Sequence, residues 1–157
     1  MISKQARAFG PRLLFCAVLF CTGCVSNRPL PPFDTSAPGW SVRQGQALWR
    51  PDEDKPEIVG DVVLSTHPDA GTFVQFSKTV PILSARLAPS AWEFNAIAQQ
   101  KVYSGRGSPP DRIAWLQALL VLEGAEAASR WTVARPSDKY LLLENSHTGE
   151  RLELRLN

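Results

Sequence analysis

The side chains that could carry out catalysis or bind a metal ion are few and far apart in this sequence. The histidines His67 and His147 are widely separated, and neither has a second ligand at the spacing of a metal site. Ser65, His67 and Asp69 are close in sequence, but catalytic triads are assembled in space, and neighbours within one turn rarely reach the required geometry. The acidic run 52–54 is typical of a solvated hairpin tip. We therefore predict that the protein is not an enzyme and needs neither a metal ion nor another cofactor.

The N-terminal residues have the charge pattern of an export signal. Three basic residues precede an apolar run at 13–21, and the first acidic residue is Asp34. A run of about nine apolar residues is too short for a membrane-spanning helix, which needs roughly 20. The segment therefore predicts export. The basic residues are Lys4, Arg7 and Arg12.

The apolar run ends in Cys21-Thr22-Gly23-Cys24, which resembles the lipobox of bacterial lipoproteins, with Cys21 where leucine is usual. In a lipobox, a small residue precedes a cysteine that is acylated, with chains such as palmitate, before cleavage. The resemblance implies a lipoprotein signal peptide at 1–23 and a lipidated Cys24 that anchors the protein in a membrane. Because Val25 and not an aspartate follows, it also implies sorting to the outer membrane, with the domain facing the periplasm. The alternatives are an ordinary cleaved signal peptide in which Cys24 is incidental, or an uncleaved anchor.

Without the signal, the mature chain is close to electrically neutral. Lys and Arg fall from 17 to 14 against 15 Asp and Glu, which leaves a net charge of −1. Such a chain lacks the basic surface that nucleic-acid binding requires, so we predict no nucleic-acid partner. All cysteines precede residue 25, and the mature chain is therefore predicted to have no internal disulfide.

The mature sequence divides into a proline-rich segment and one domain. Four prolines between positions 29 and 38 favour an extended, semi-rigid tether at 24–39, attached to the lipid at its first residue. Residues 40–157 have the length of a single domain and contain no internal repeat.

Within the domain, apolar residues alternate with polar ones or form short blocks bounded by Pro, Gly and Asp, which is typical of β-strands. The connections are short, so neighbouring strands should pair antiparallel. We therefore predict an α+β, mainly β domain built on a curved antiparallel sheet of about seven to nine strands. The predicted strands cover residues 41–49, 57–65, 72–79, 82–88, 92–98 with a continuation through 103, 130–135, 139–145 and 151–156.

One segment, 109–123, has the start and the end of an α-helix. Ser108 is a suitable cap, Pro109 suits the first turn, and Gly124 follows the last apolar residues. Apolar residues occupy most of the helix circumference, so the helix needs cover on more than one side. We predict that it packs on the concave face of the sheet.

The aromatic residues are the best indication of a binding site. A small domain with five tryptophans must either pack them in a bulky core or leave a concave, aromatic-lined cavity under the helix. Such a cavity would accept an acyl chain or an apolar peptide segment, with little selectivity for the head group. The candidate cavity residues are Trp49, Phe76, Trp92, Phe94, Trp115, Leu119 and Leu122.

The layout of the whole chain resembles the LolA/LolB superfamily of lipoprotein carriers. A lipobox and a tether precede strands that open with Trp40 and residues 45–49, and a proline-introduced helix containing Trp115 precedes a strand led by Trp131. The resemblance implies a half-open barrel that is covered by helices and holds lipoprotein acyl chains in its cavity. Residues 67–71 lack the leucine that the receptor branch exposes to insert lipoproteins. The resemblance therefore implies the carrier fold more than the carrier activity.

Two functions remain open from the sequence. The first is a membrane-anchored lipoprotein whose domain binds a lipid or lipoprotein acyl chains, with a role in lipoprotein localisation as one option. The second is a non-catalytic accessory lipoprotein that has a filled core and docks onto an envelope protein through a strand edge or an aromatic patch. An apolar cavity between Trp115 and the sheet favours the first, and a tight core there favours the second.

Overall fold

The computed structural model of this protein describes residues 29–32 and 34–157. The predicted signal peptide at 1–23, the predicted lipidation site Cys24 and the first part of the predicted tether lie outside these residues. In the part of the chain that the structure describes, nine β-strands form one sheet, and one α-helix, α1 (Ala114–Leu122), packs against it.

The strands follow one another across the sheet almost in chain order. The spatial order is β6-β5-β4-β3-β2-β1-β9-β8-β7, and all neighbours are antiparallel. The pair β1–β9 joins the two ends of the domain and places Ala47 opposite Leu154. The sheet is open, with β6 and β7 at its edges. The strands are β1 (Ser41–Arg50), β2 (Ile58–His67), β3 (Gly71–Ser77), β4 (Pro81–Ala88), β5 (Ala91–Ala96), β6 (Lys101–Arg106), β7 (Trp131–Ser137), β8 (Tyr140–Asn145) and β9 (Arg151–Leu156).

The predicted fold class is confirmed, because the domain is α+β, mainly β, with an open antiparallel sheet and one helix in the described residues. The strands form a sheet with one buried face because side chains alternate between the two faces along each strand. In β3 and β4, every second residue is buried, and the buried ones, such as Phe76 and Leu83, belong to the same core as the helix.

The core lies between α1 and the inner face of the sheet. Leu116 and Leu119 of the helix are 0% exposed, as are Leu143 of β8 and Leu152 of β9. The helix contacts β3, β4, β8 and β9. Its predicted position against one face of the sheet thus agrees with the structure.

Residues 92–103 form two strands, whereas the sequence predicted one continuous strand. β5 ends at Ala96, a 3-10 turn covers Ile97–Gln99, and β6 begins at Lys101. Gln100 has a left-handed conformation, with φ 55°, at the point where the chain reverses. Asn and Gly are the residues that usually mark such a turn, so a glutamine does not reveal it.

Helix α1 begins at Ala114 and not at Pro109, and it has nine residues. Ser108 and Pro109 each precede a proline, and a following proline disfavours the helical conformation. The N-cap residue is Ile113, and no described side chain makes a capping hydrogen bond there. The predicted start of the helix was therefore wrong.

The loop before α1 is held by side chains that bind its carbonyl groups. Gln117 Nε2 donates to the carbonyl oxygen of Pro110 at 3.1 Å, and Trp131 Nε1 donates to that of Asp111 at 2.6 Å. Gln117 is buried, and its Oε1 accepts the N–H of Ala128 at 2.8 Å. Gln117 thus fastens the loops on both sides of the helix.

The helix ends as the sequence predicts, at a glycine with positive φ. Gly124 has φ 89°, a conformation in which other residues are strained. Its N–H donates to Val121 O at 3.1 Å, and the N–H of Ala125 donates to Leu120 O at 2.9 Å. These two bonds form a Schellman motif, which satisfies the last carbonyl groups of the helix.

Part of the predicted tether lies against the sheet. The N–H of Leu30 donates to the carboxylate of Glu93, and Arg86 Nη1 donates to Pro31 O at 2.8 Å. Arg86 and Glu93 are opposite each other on β4 and β5, on the face away from the core. The described N-terminal segment is therefore attached to the outer face of the sheet.

Candidate ligand-binding cavity

A cavity of 540 Å³ lies between the N-terminal end of α1 and one end of the sheet. Its volume is in the range of roughly 300 to 1,000 Å³ that is usual for small-molecule sites. Its walls come from β1, β4, β5, β6, the loop before α1 and the turn before β9. The apolar and aromatic wall residues are Trp49, Ile82, Leu83, Trp92, Phe94, Tyr103, Ile113 and Trp115.

Strand geometry places the rings of β5 on the cavity side. Trp92 and Phe94 are two residues apart, and they lie opposite Gly105 and Tyr103 of β6. A Cβ atom at position 105 would be 2.6 Å from Cζ2 of Trp92, too close for the indole to stay in place. Glycine at this position therefore allows the Trp92 ring to lie against the backbone of β6.

Three rings pack together beneath the cavity. The ring centroids of Trp49 and Trp115 are 6.0 Å apart at an interplanar angle of 77°. Phe76 lies 5.0 Å from Trp115 and 6.4 Å from Trp49. Edge-to-face arrangements such as the Trp49 pairs are favourable for aromatic rings. The cluster fixes Trp49 and Trp115 where they border the cavity.

The structure separates the predicted cavity residues into three groups. Trp49, Trp92, Phe94 and Trp115 line the cavity together. Phe76 and Leu119 are fully buried and lie behind its wall, in the core. Leu122 borders a different groove at the far end of the helix. The middle of the described helix packs on the sheet, and the two cavities lie at its two ends.

The second groove measures 980 Å³ and has a more polar wall. Leu122 contributes from the helix, and Arg43 and His67 contribute from the sheet. The Nδ1 atom of His67 accepts the N–H groups of Asp69 and Ala70, each at 3.1 Å. His67 therefore stabilises the turn between β2 and β3, and the mixed wall is less suited to an acyl chain than the first cavity.

One carboxyl group, that of Glu150, belongs to the cavity wall. Trp49 Nε1 donates a hydrogen bond to its Oε1 at 3.0 Å. Burial raises the pKa of Glu150 to about 7, with a further increase from the charge of Asp52, and the bond from Trp49 acts in the opposite direction. The exposed Arg112 also borders the cavity. The wall thus combines a large apolar surface with a few polar groups at the loop side.

Sequence reasoning did not select Glu150 as a site residue. It is an even-numbered position, like Leu152, Leu154 and Leu156, which are buried on the inner face. The alternation that predicted the last strand therefore also indicated an inward-facing carboxyl group at 150.

The raised pKa of Glu150 predicts that the protein loses stability as the pH rises from about 4.5 to about 7. The unfolded carboxyl ionises around pH 4.5, whereas the folded one keeps its proton until about pH 7. In this window the folded state binds more protons than the unfolded state. The contribution of Glu150 to stability is therefore fully present below pH 4.5 and declines toward pH 7. Because the group is partly solvated, we expect a loss of about 2 kcal/mol. Urea unfolding between pH 4 and pH 8 measures it.

Comparison with substituted chains isolates this contribution from other titrating groups. Between pH 4 and pH 8, the free energy of unfolding of Glu150→Gln should fall by about 2 kcal/mol less than that of the wild type. Glu126→Gln, which neutralises an exposed carboxyl group outside the cavity, should behave like the wild type. If Glu150→Gln and the wild type have the same pH dependence, the assignment to Glu150 is wrong.

The indole N–H of Trp115 is buried and has no hydrogen-bond partner in the residues that the structure describes. Trp115 itself is 1% exposed. By contrast, the indole N–H groups of Trp49 and Trp131 donate to Glu150 and to the carbonyl of Asp111. An unpaired buried donor costs about 1 to 3 kcal/mol. Sequence alone does not show such a group, because its partners depend on the packed structure.

Among residues 29–32 and 34–157, no three metal-binding side chains come together at one place. No helix in these same residues is long and apolar enough to cross a membrane. Compared with known proteins, the chain matches no protein-family model and no curated protein significantly.

Proposed function

We propose that this protein is an outer-membrane lipoprotein, anchored through an acylated Cys24, whose domain binds a lipid or the acyl chains of a lipoprotein. The ligand occupies the cavity beside Trp115, and binding involves no catalysis and no cofactor. The observation that carries the proposal is the 540 Å³ cavity with its largely aromatic and aliphatic wall.

Burial of methylene groups can supply the binding energy. Each buried CH₂ contributes about 0.8 kcal/mol, so a chain that buries about ten of them gains roughly 8 kcal/mol. That gross gain equals the binding energy of a micromolar complex, and ordering of the chain reduces it. We therefore expect dissociation constants from about micromolar to tens of micromolar.

A role in lipoprotein localisation is the more specific part of the proposal. Its support is the layout that resembles the LolA/LolB superfamily, together with an open antiparallel sheet that carries a helix and a cavity. A carrier of this kind holds acyl chains for a limited time, and a partly open cavity at the end of a sheet suits reversible binding.

The competing proposal is an accessory lipoprotein that docks onto an envelope protein. The observation in its favour is the edge strand β7, where residues 132–137 are exposed and one side has no neighbouring strand in the described sheet. Pro136 and a register shift between Ala134 and Ser137 interrupt this edge. Because both features oppose the addition of another strand, the cavity is the better-supported site.

Titration of residues 27–157 with a fluorescent fatty acid tests the proposed function. This chain retains every described strand, the helix and the core, and its cooperative thermal unfolding is checked first. We expect saturable binding to the wild type. Phe94→Glu should weaken binding at least about tenfold, because it places a charge on the partly exposed apolar wall.

Val59→Glu is the matched control, since Val59 is 49% exposed and lies outside the cavity wall. It should bind like the wild type. If the folded wild type shows no binding up to the solubility limit of the probe, the accessory-lipoprotein proposal is favoured. Equal binding by Phe94→Glu and the wild type would mean that the probe binds elsewhere.

A further inference from the structure

We propose that Glu150 binds the head group of the cavity ligand, and that this head group is a protonated amine. The inference rests on the proposed function and names the ligand class for the same cavity, an amphiphile with an apolar chain and an ammonium group. In the complex, the ammonium N–H donates a hydrogen bond to the carboxylate. The inference differs from the expectation from the sequence that the cavity discriminates little between head groups.

The carboxyl group of Glu150 has acceptor capacity left at the cavity. Glu150 is half-buried and borders the cavity. Its Oε1 accepts the indole N–H of Trp49, and no described residue donates a hydrogen bond to its Oε2. A carboxylate has about four lone-pair sites for hydrogen bonds. Unlike the indole nitrogen of Trp115, Oε2 is not enclosed by the described residues, so it is accessible to a ligand donor.

The surrounding chain holds this carboxyl group in place. The backbone N–H of Glu150 donates to Thr148 Oγ1 at 3.2 Å, and its carbonyl oxygen accepts the N–H of Asn145 at 2.8 Å. The ring of Trp49 packs against Trp115, so the hydrogen bond from Trp49 to Oε1 fixes the orientation of the carboxyl group. A ligand therefore meets a preformed acceptor, and binding orders little of the protein.

The charges next to Glu150 favour a cation over an anion. Asp52, in the loop after β1, is close enough that its charge contributes to the raised pKa of Glu150, so the two carboxylates attract a cation together. The guanidinium of Arg50 donates to a backbone carbonyl of the turn before β9. The other titratable residues of the described wall are Tyr103 and Arg112. Arg112 is exposed, so water and salt screen its charge.

Other charged groups near the turn before β9 do not neutralise Glu150. Glu53 packs on this turn and adds a further carboxylate. Arg151 follows Glu150 in the chain, but it lies on the outer face of the sheet, where it pairs with Glu144 and Glu153. The ionised carboxylate of Glu150 is therefore available to a cation that enters the cavity.

The surroundings of Glu150 also rank the possible head groups. Burial beside the apolar wall disfavours the ionised carboxyl and raises its pKa. An ammonium group would stabilise the ionised form through a charge-assisted hydrogen bond, which is stronger than a bond from a neutral donor. A ligand carboxylate would be repelled above neutral pH. We therefore expect the order of affinity ammonium, alcohol, carboxylate for equal chains.

Three ligands of equal chain length test the inference on residues 27–157 at pH 8, by titration calorimetry. They are decylammonium, decanol and the decanoate ion. The wild type should bind decylammonium at least about tenfold more tightly than decanol, and the decanoate ion most weakly. Glu150→Gln keeps an acceptor for Trp49 but removes the charge, so it should bind decylammonium and decanol about equally. Glu126→Gln, the same change at an exposed carboxyl group outside the cavity, should keep the preference.

The preference should also depend on pH in the wild type. Decylammonium keeps its charge from pH 5 to pH 8, whereas Glu150 ionises at about pH 7. The affinity for decylammonium relative to decanol should therefore rise over this range and level off above the pKa of Glu150. In Glu150→Gln, the same ratio should stay constant.

Carboxyl ¹³C NMR of Glu150 makes the test independent of the variants. Decylammonium should lower the pH at which this carboxyl signal titrates, and decanol should not. Equal binding of decylammonium and decanol by the wild type, or a preference that persists in Glu150→Gln, would overturn the ammonium site while leaving the hydrophobic cavity in place. Tighter binding of the decanoate ion would also overturn it. Failure of all three ligands to bind would instead overturn the proposed function.

Discussion

Replacing Leu116 by alanine should lower the free energy of unfolding by about 2 to 5 kcal/mol. Leu116 is 0% exposed and lies in the first turn of α1, in the core that joins the helix to the sheet. Alanine would leave a cavity that the packed core can only partly close. The nine-residue helix is also too short to be stable alone, so it depends on this packing. Urea denaturation measures the loss, and an unchanged denaturant slope would show that the two-state transition is preserved.

Leu122→Ala is the matched comparison. Leu122 is the last residue of the same helix and is only partly buried, so its replacement should cost about 1 kcal/mol. Similar losses for the two variants would contradict the packing described for Leu116. A fully tolerated Leu116→Asp would contradict it more strongly, because a charge cannot be accommodated at a dry core position.

The strands could be predicted from the sequence because their pattern is local. A half-buried antiparallel strand alternates at a period of two, as in Leu152, Leu154 and Leu156 of β9. The turn chemistry of Pro, Gly and Asp marks most of the boundaries between strands. The same locality explains why Gly124 identifies the end of the helix.

Other features depend on contacts that no local pattern contains. The loop before α1 is held by hydrogen bonds from Gln117 and Trp131 to its carbonyl groups, which add to the local effect of Pro109 and Pro110 on the start of the helix. The hairpin at Gln100 was missed because tertiary structure imposes a left-handed conformation on a residue that rarely adopts it. The pairing of β1 with β9 is also not contained in a local pattern, because it joins residues from the two ends of the domain.

The candidate site shows the same division. Aromatic composition pointed to Trp49, Trp92, Phe94 and Trp115, which meet at one cavity. Composition does not show where a side chain lies in the fold, however, so it did not separate these rings from Phe76, which is buried behind them. Which apolar residues border a space and which fill the core is decided by the placement of the helix ends.

Cys24→Ser should leave the protein as an unprocessed precursor and abolish its acylation. The reason is chemical, because a serine hydroxyl does not replace the thiol to which the lipobox resemblance assigns the acyl chains. Two or more chains anchor a protein stably, whereas one chain binds a membrane only marginally. Mass spectrometry of the protein from its native membrane should find acylated Cys24 at the N-terminus of the wild type, and electrophoresis should show the precursor for the variant.

Cys16→Ala is the control, because Cys16 lies inside the apolar run and not at the cleavage junction. This variant should mature to the same size as the wild type and remain in the membrane fraction. If Cys24→Ser also matures to that size and stays membrane-bound, Cys24 is not the anchor.

Attachment at Cys24 would also limit the distance between the domain and the membrane. Leu30 is bound to the outer face of the sheet, and a chain of the length that joins Cys24 to Leu30 can span at most about 20 Å. A lipidated Cys24 would therefore hold the domain close to the membrane surface, within reach of acyl chains that leave it.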